Sequence, residues 1–176
     1  MFEKYIILLE KTFEKIGLSE NLSGVISEII SLITLFLIAI IIYFITILII
    51  KKTVFVFLQK TETKRDDIII ENKFFNRICL LIPAYIIRGL IPISIPSFPL
   101  LSSAIIMMTK IYEVFVYSRV IDAILSTLND IYNTYEVSKS KPIKGFIQVL
   151  KIIVYVICFL LIIAILTQKE LSNILI

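Results

Sequence analysis

The chain has 176 residues, 59% of them hydrophobic and 18% charged, with a mean hydropathy of +0.98. So little polar surface excludes an ordinary water-soluble fold and sets the chain among membrane proteins. A net charge of +4 carried by residues that flank apolar runs points to anionic lipid, not nucleic acid; with no His and two cysteines in or beside apolar runs (Cys79, Cys158), neither a disulfide framework nor a zinc site is expected.

Residues 1–24 form the first expected element, an N-terminal amphipathic helix. Ile6, Leu9, Phe13 and Ile16 recur at helical spacing, Glu3, Glu10, Glu14 and Glu20 rule out a signal peptide, and Gly17 is a natural stop. Two readings stand, a helix lying in the outer interface or one packed on its neighbours. The remainder, 25–176, reads as a transmembrane domain with spans at about 29–50, 76–95, 103–119 and 145–167. Ile29 to Ile50 is free of charge for 22 residues, about 33 Å as a helix, and Lys51 and Lys52 close it.

A charged connector follows to Arg77. The second span contains Pro83, Arg88, Gly89 and Pro92, so a kink or early end near Pro92 is expected. The uncharged stretch Ser94 to Ser103, with two prolines, reads as a turn at the far membrane face. Lys110 and Glu113 interrupt the third span. Ions at membrane depth are functional candidates by default. Arg88 either pairs with Glu113 on an antiparallel neighbour or snorkels outward, and Lys110 with Glu113 is the simpler pair. Beyond Val120, apolar positions at helical spacing lie opposite Asp122, Asn129 and Asn133, so the third helix is expected to project into the cytosolic interface.

Lys139 to Leu166 is the most informative stretch. Lys139, Lys141, Lys144 and Lys151 come with no acid among them, and an uncharged run follows from Ile152 to Gln168. Pro142 suits a first helical turn, and Lys144, Gln148, Lys151 and Tyr155 share one helical face. Such a helix runs along the headgroups and then enters hydrocarbon, with Lys51, Lys52, Lys139, Lys141, Lys144 and Lys151 as anchors to the anionic inner leaflet. Connectors 51–77 and 119–151 hold twelve basic residues against four on the other side, which places the N-terminus outside.

The run Pro142, Ile143, Lys144, Gly145, Phe146, Gln148, Lys151 resembles the segment that opens the fourth span in small-conductance mechanosensitive channels, in their five-span, YbdG-like (miniconductance) branch. The apolar runs read as an all-α polytopic bundle of about four transmembrane helices plus the N-terminal helix, and the resemblance agrees with that topology. The resemblance implies a cytoplasmic (inner) membrane location, a homo-oligomer (a heptamer if complete), ions as cargo if complete, and protection against hypo-osmotic shock. Specific matches are confined to about 139–158. The family's pore helix is rich in Gly and Ala, whereas this chain has four glycines and none after Gly145. It stops at LSNILI, where the pore helix would begin, so a tension sensor without pore helix or cytosolic β domain is expected. The alternative is a non-conducting membrane scaffold or assembly subunit. No enzyme, cofactor or metal is expected, because Glu113 alone makes neither a dyad nor a ligand set and no Gly-rich phosphate loop is present.

Overall fold

The computed structural model describes residues 2–58, 74–139 and 142–168, excluding the side chains of 54–58, Val137 and Lys139. The fold is all-α: α1 (Phe2–Lys15), α2 (Glu20–Leu58), α3 (Phe74–Cys79), α4 (Leu81–Ser94), α5 (Pro99–Asn133) and α6 (Lys144–Thr167), with a 3₁₀ turn at Glu136–Lys139. Among the described residues four helical segments are long and apolar enough to cross a membrane: Glu20–Thr53, Phe74–Ser94, Pro99–Asn133 and Lys144–Thr167. The connector charges from Lys60 to Lys73, and Lys141 and Lys169, lie outside the described residues. The chain divides into two compact units, one of Met1–Tyr43 with Ile82–Lys110 and the other of Phe44–Leu81 with Ile111–Ile176.

In the first unit α1 ends because Gly17 adopts φ +96°, a region in which a Cβ is strained. The amide of Leu18 donates to Phe13 O at 3.3 Å and that of Gly17 to Glu14 O at 3.0 Å, so two orphan carbonyls of the last turn are satisfied by a Schellman cap. The turn folds α1 back along α2, where the hydroxyls of Tyr5 and Thr34 meet at 3.4 Å and Ile6 is buried. Leu8 on α1 and Ile16 just after it are left exposed, away from this contact.

The first half of α2 packs along one ridge. Ser23, Ser27, Ser31, Leu35 and Ala39, each four residues from the last, are all at most 1% exposed, while Ile33, Leu37 and Ile41 face outward. Small side chains at this spacing let backbones approach closely, the packing device of helices that gain no hydrophobic drive from apolar surroundings. Two of the hydroxyls are satisfied locally, Ser23 Oγ donating to Ser19 O and Ser27 Oγ to Gly24 O, while Ser31 Oγ is buried with no hydrogen-bond partner among the described residues. Leu35 meets Ile91 and Ile95 in the unit's buried centre, with Phe2 of α1 packed against it.

Three boundaries differ from the sequence expectation. The helix of the first span runs nine residues before Ile29 and eight beyond Ile50, because no helix-breaking residue bounds the apolar run and Lys51 and Lys52 are good helix formers. The second span is broken at Leu80, not only ended after Pro92. Pro83 has no N–H to give Cys79 O and its ring crowds that carbonyl, so α3 closes with Leu80 N donating to Arg77 O at 3.2 Å and α4 starts afresh at Leu81. The turn expected over 94–103 shrinks to 95–98, since Pro99 is pre-set for the first position of α5. α5 then continues unbroken for 35 residues, about 52 Å.

Candidate functional site: the polar seam of α5 and α6

In the second unit α6 starts at Lys144, with Ile143 as N-cap and no side-chain cap; Pro142 stands one residue before that cap instead of inside the first turn. From there α6 turns its polar face toward α5. Lys151 Nζ lies 2.8 Å from Asp122 Oδ1 and donates to Ser126 Oγ at 2.7 Å. Tyr155 OH, one turn on, donates to the same Asp122 oxygen at 3.3 Å. The other carboxylate oxygen is held by α3: Arg77 Nη1 lies 3.1 Å from Asp122 Oδ2 and also donates to Arg119 O at 2.6 Å. One carboxylate thus ties three helices together. It does so in shelter, with side chains of Asp122, Lys151 and Arg77 exposed by 15%, 25% and 23%.

Toward the start of α6 the seam opens into a cavity of about 270 Å³, lined by Ser126, Asn129 and Asp130 of α5 and by Lys144, Ile147, Gln148 and Lys151 of α6. Asn129 Nδ2 donates to Asp130 Oδ1 at 3.2 Å, while Asn129 Oδ1 is buried without a hydrogen-bond partner among the described residues. Above the seam α6 is a different surface. From Ile152 to Ile163 no residue is buried, and Ile152, Val156 and Phe159 are each more than half exposed.

The residues singled out from sequence divide accordingly. Lys144, Gln148 and Lys151 come together at the cavity, and Lys151 is held by protein oxygens where the sequence reading gave it to lipid headgroups. Lys51 and Lys52 are exposed on α2, Phe146 is exposed on α6, and an added Cβ at Gly145 would meet nothing within 4 Å. Lys139 closes the 3₁₀ turn, its side chain being outside the described residues as Lys141 is altogether. Arg88 stands over the Tyr85 ring at 5.5 Å from its centroid in the first unit, Lys110 is exposed there, and Glu113 is 5% exposed in the second. Sequence reasoning missed Asp122 as the acceptor of Lys151 and Arg77. It placed Asp122 on the polar side of its helix, and that was the signal available.

Chemically the seam is a clamp. No group of three potential ligands able to hold a metal ion occurs among the described residues. Cys79 and Cys158 are free thiols in separate settings. No protein-family model, no curated protein and no solved structure matches the chain.

Proposed function

We propose that this multi-pass membrane protein is the tension-sensing transmembrane portion of a mechanosensitive ion channel, seated in the cytoplasmic membrane with its N-terminus outside and serving protection against hypo-osmotic shock. The observation that supports it is the contrast along α6. Its first turns are tied to α5 and α3 through Asp122, while the twelve residues from Ile152 to Ile163 offer unburied, largely apolar surface to lipid or to neighbouring copies. Tension thins a bilayer and favours whichever state has the larger area and better hydrophobic match. A helix fixed at one end by polar contacts and embedded in lipid along the rest converts that change into tilt about its tied end. Lys51, Lys52, Lys144 and the other inner-side lysines hold that end at the anionic leaflet.

The test uses the whole chain in liposomes, with Cys79 and Cys158 replaced by Ser and a spin label at Phe159→Cys. Lysophospholipid added to one leaflet should change the lipid accessibility of the label, and a label on the buried ridge of α2 should not respond. A label at position 159 indifferent to tension removes the proposal. The alternative is a non-conducting membrane scaffold or assembly subunit, for which the same spans would serve without a conduit. Patch recording under suction, from cells that make the native gene product, separates the two: a silent membrane with a tension-responsive label favours the scaffold.

A further inference from the structure

We propose that the first unit holds a binding site for a primary ammonium group, of the kind carried by an aminophospholipid headgroup or a small free amine. A cavity of about 520 Å³ lies between α1, the start of α2 and the end of α4 with the turn that follows. That is within the range of small-ligand sites. Its lining includes three carboxylates, Glu3 and Glu10 from α1 and Glu28 from α2, and no basic side chain among the described residues. The other walls are apolar, among them Ile7, Ile93 and Pro96. A concave site lined by one sign of charge with low-dielectric walls concentrates the opposite charge.

The acids alone would be only a solvated cluster. Glu28 makes the difference. It is 4% exposed, its Oε1 accepts the Ser97 amide at 3.2 Å, and its Oε2 is buried with no hydrogen-bond partner among the described residues. A buried carboxylate oxygen without a donor is expensive, and a donor entering the cavity removes the penalty. Glu10 lines the same cavity from α1, its Oε1 lying 3.6 Å from the point where a Cβ on Gly24 would stand, an ordinary contact distance from the start of α2.

The same details select the cation. A metal ion is disfavoured because the three carboxylates do not converge into a ligand group among the described residues. A quaternary ammonium has no N–H for Oε2 and is ordinarily held by aromatic rings, of which the lining has none. A guanidinium binds best through both oxygens of one carboxylate, and Ser97 occupies one of Glu28's. A primary ammonium, a compact charge with three N–H donors, matches a single free oxygen backed by two more distant negative charges. The apolar walls then suit the carbon chain that carries it.

The experiment is native mass spectrometry of the full chain in detergent, with phosphatidylethanolamine, phosphatidylcholine of the same acyl chains, and ethanolamine alone. Phosphatidylethanolamine should be retained about tenfold more tightly than phosphatidylcholine, as one hydrogen bond to a charged group implies. Glu28→Gln keeps the Ser97 bond but turns an N–H donor toward the ligand, so it should abolish the preference. The Glu3→Gln, Glu10→Gln pair, further from the burial that could upset folding, should weaken ethanolamine-lipid binding several-fold at unchanged helicity. Preference for the lipid that ethanolamine cannot displace assigns the headgroup as source; saturable ethanolamine binding without lipid preference assigns a free amine. Equal retention of both lipids with no ethanolamine binding overturns the site. So does undiminished preference in a folded Glu28→Gln protein or, should that variant not fold, in the Glu3, Glu10 variant.

Discussion

Replacing Asp122 by Asn is the sharpest test of the seam, because one carboxylate serves both Lys151 at 2.8 Å and Arg77 at 3.1 Å. Fully exposed ion pairs contribute about 0.2–1 kcal/mol and the loss of one partner from a buried pair about 3–5 kcal/mol. With all three side chains sheltered but not sealed, about 1 kcal/mol per pair is appropriate. Asp122→Asn should then destabilise by about 2 kcal/mol, since it strands two cations at once. Lys151→Met loses one pair and the Ser126 bond while its apolar chain still fills the seam, so about 1 kcal/mol is expected. If the contacts are as described, the double variant loses nothing twice and stays near 2 kcal/mol, a coupling of about 1 kcal/mol. Reversible unfolding in mixed detergent micelles, followed by far-ultraviolet circular dichroism, reads all four corners of the cycle. Additivity to within about 0.3 kcal/mol would refute the clamp, because it would mean Asp122 and Lys151 do not sense one another.

Two further substitutions probe the first unit. Gly17→Ala should destabilise by about 1 kcal/mol through its φ of +96° alone, since nothing lies within 4 Å of the added Cβ, and Gly17→Asn should cost less because Asn tolerates the left-handed region; equal losses for both would implicate sterics instead. Leu35→Ala empties a fully buried site beside Ile91 and Ile95. In water such a change costs about 2–5 kcal/mol, but in lipid the transfer part is absent and packing alone remains, so about 1–2 kcal/mol is expected in the same unfolding assay.

The existence of four helices long and apolar enough to span was legible because apolar runs of about twenty residues, uncharged in the first and fourth and interrupted only by Arg88 or by Lys110 and Glu113 in the others, leave the backbone few other ways to satisfy itself in hydrocarbon. Their ends were not, because the end of an apolar run is not the end of a helix. Lys51 and Lys52 changed the polarity of α2 without interrupting it, whereas the continuation of α5 from Val120 to Asn133 was legible in its helical spacing. Pro92 drew the expectation of a kink, whereas Pro83, close behind the start of the same apolar run, made the break at Leu80. Each proline acts on the carbonyl four residues earlier, so the break precedes the proline that causes it. Glu28 looked like a flanking charge at the edge of a span. The four-residue spacing of the serines at 23, 27 and 31 was the signal available for a closely packed face, and it went unread; Glu28 is one residue off that ridge. The Asp122–Lys151 tie required the rotation of two helices about their own axes, which hydrophobic periodicity fixes only to within a face.

The two modes of attachment have different mechanical consequences. Along the buried ridge of α2 the contacts are short side chains close to the helix axis, Ser23, Ser27, Ser31 and Ala39, so a shift of even a methyl group's width opens voids or forces overlap. At the seam α6 is bound to α5 through the four-carbon stem of Lys151 and α3 to α5 through the long side chain of Arg77, and the rotamers of both can follow a displacement while their ends stay bonded to Asp122. A stiff ridge and a compliant tie under the same load yield at the tie. On the proposed function, motion produced by membrane tension would therefore fall in α6, pivoting about Asp122, and the length of α6 that lies unburied above the seam would be the part to register it.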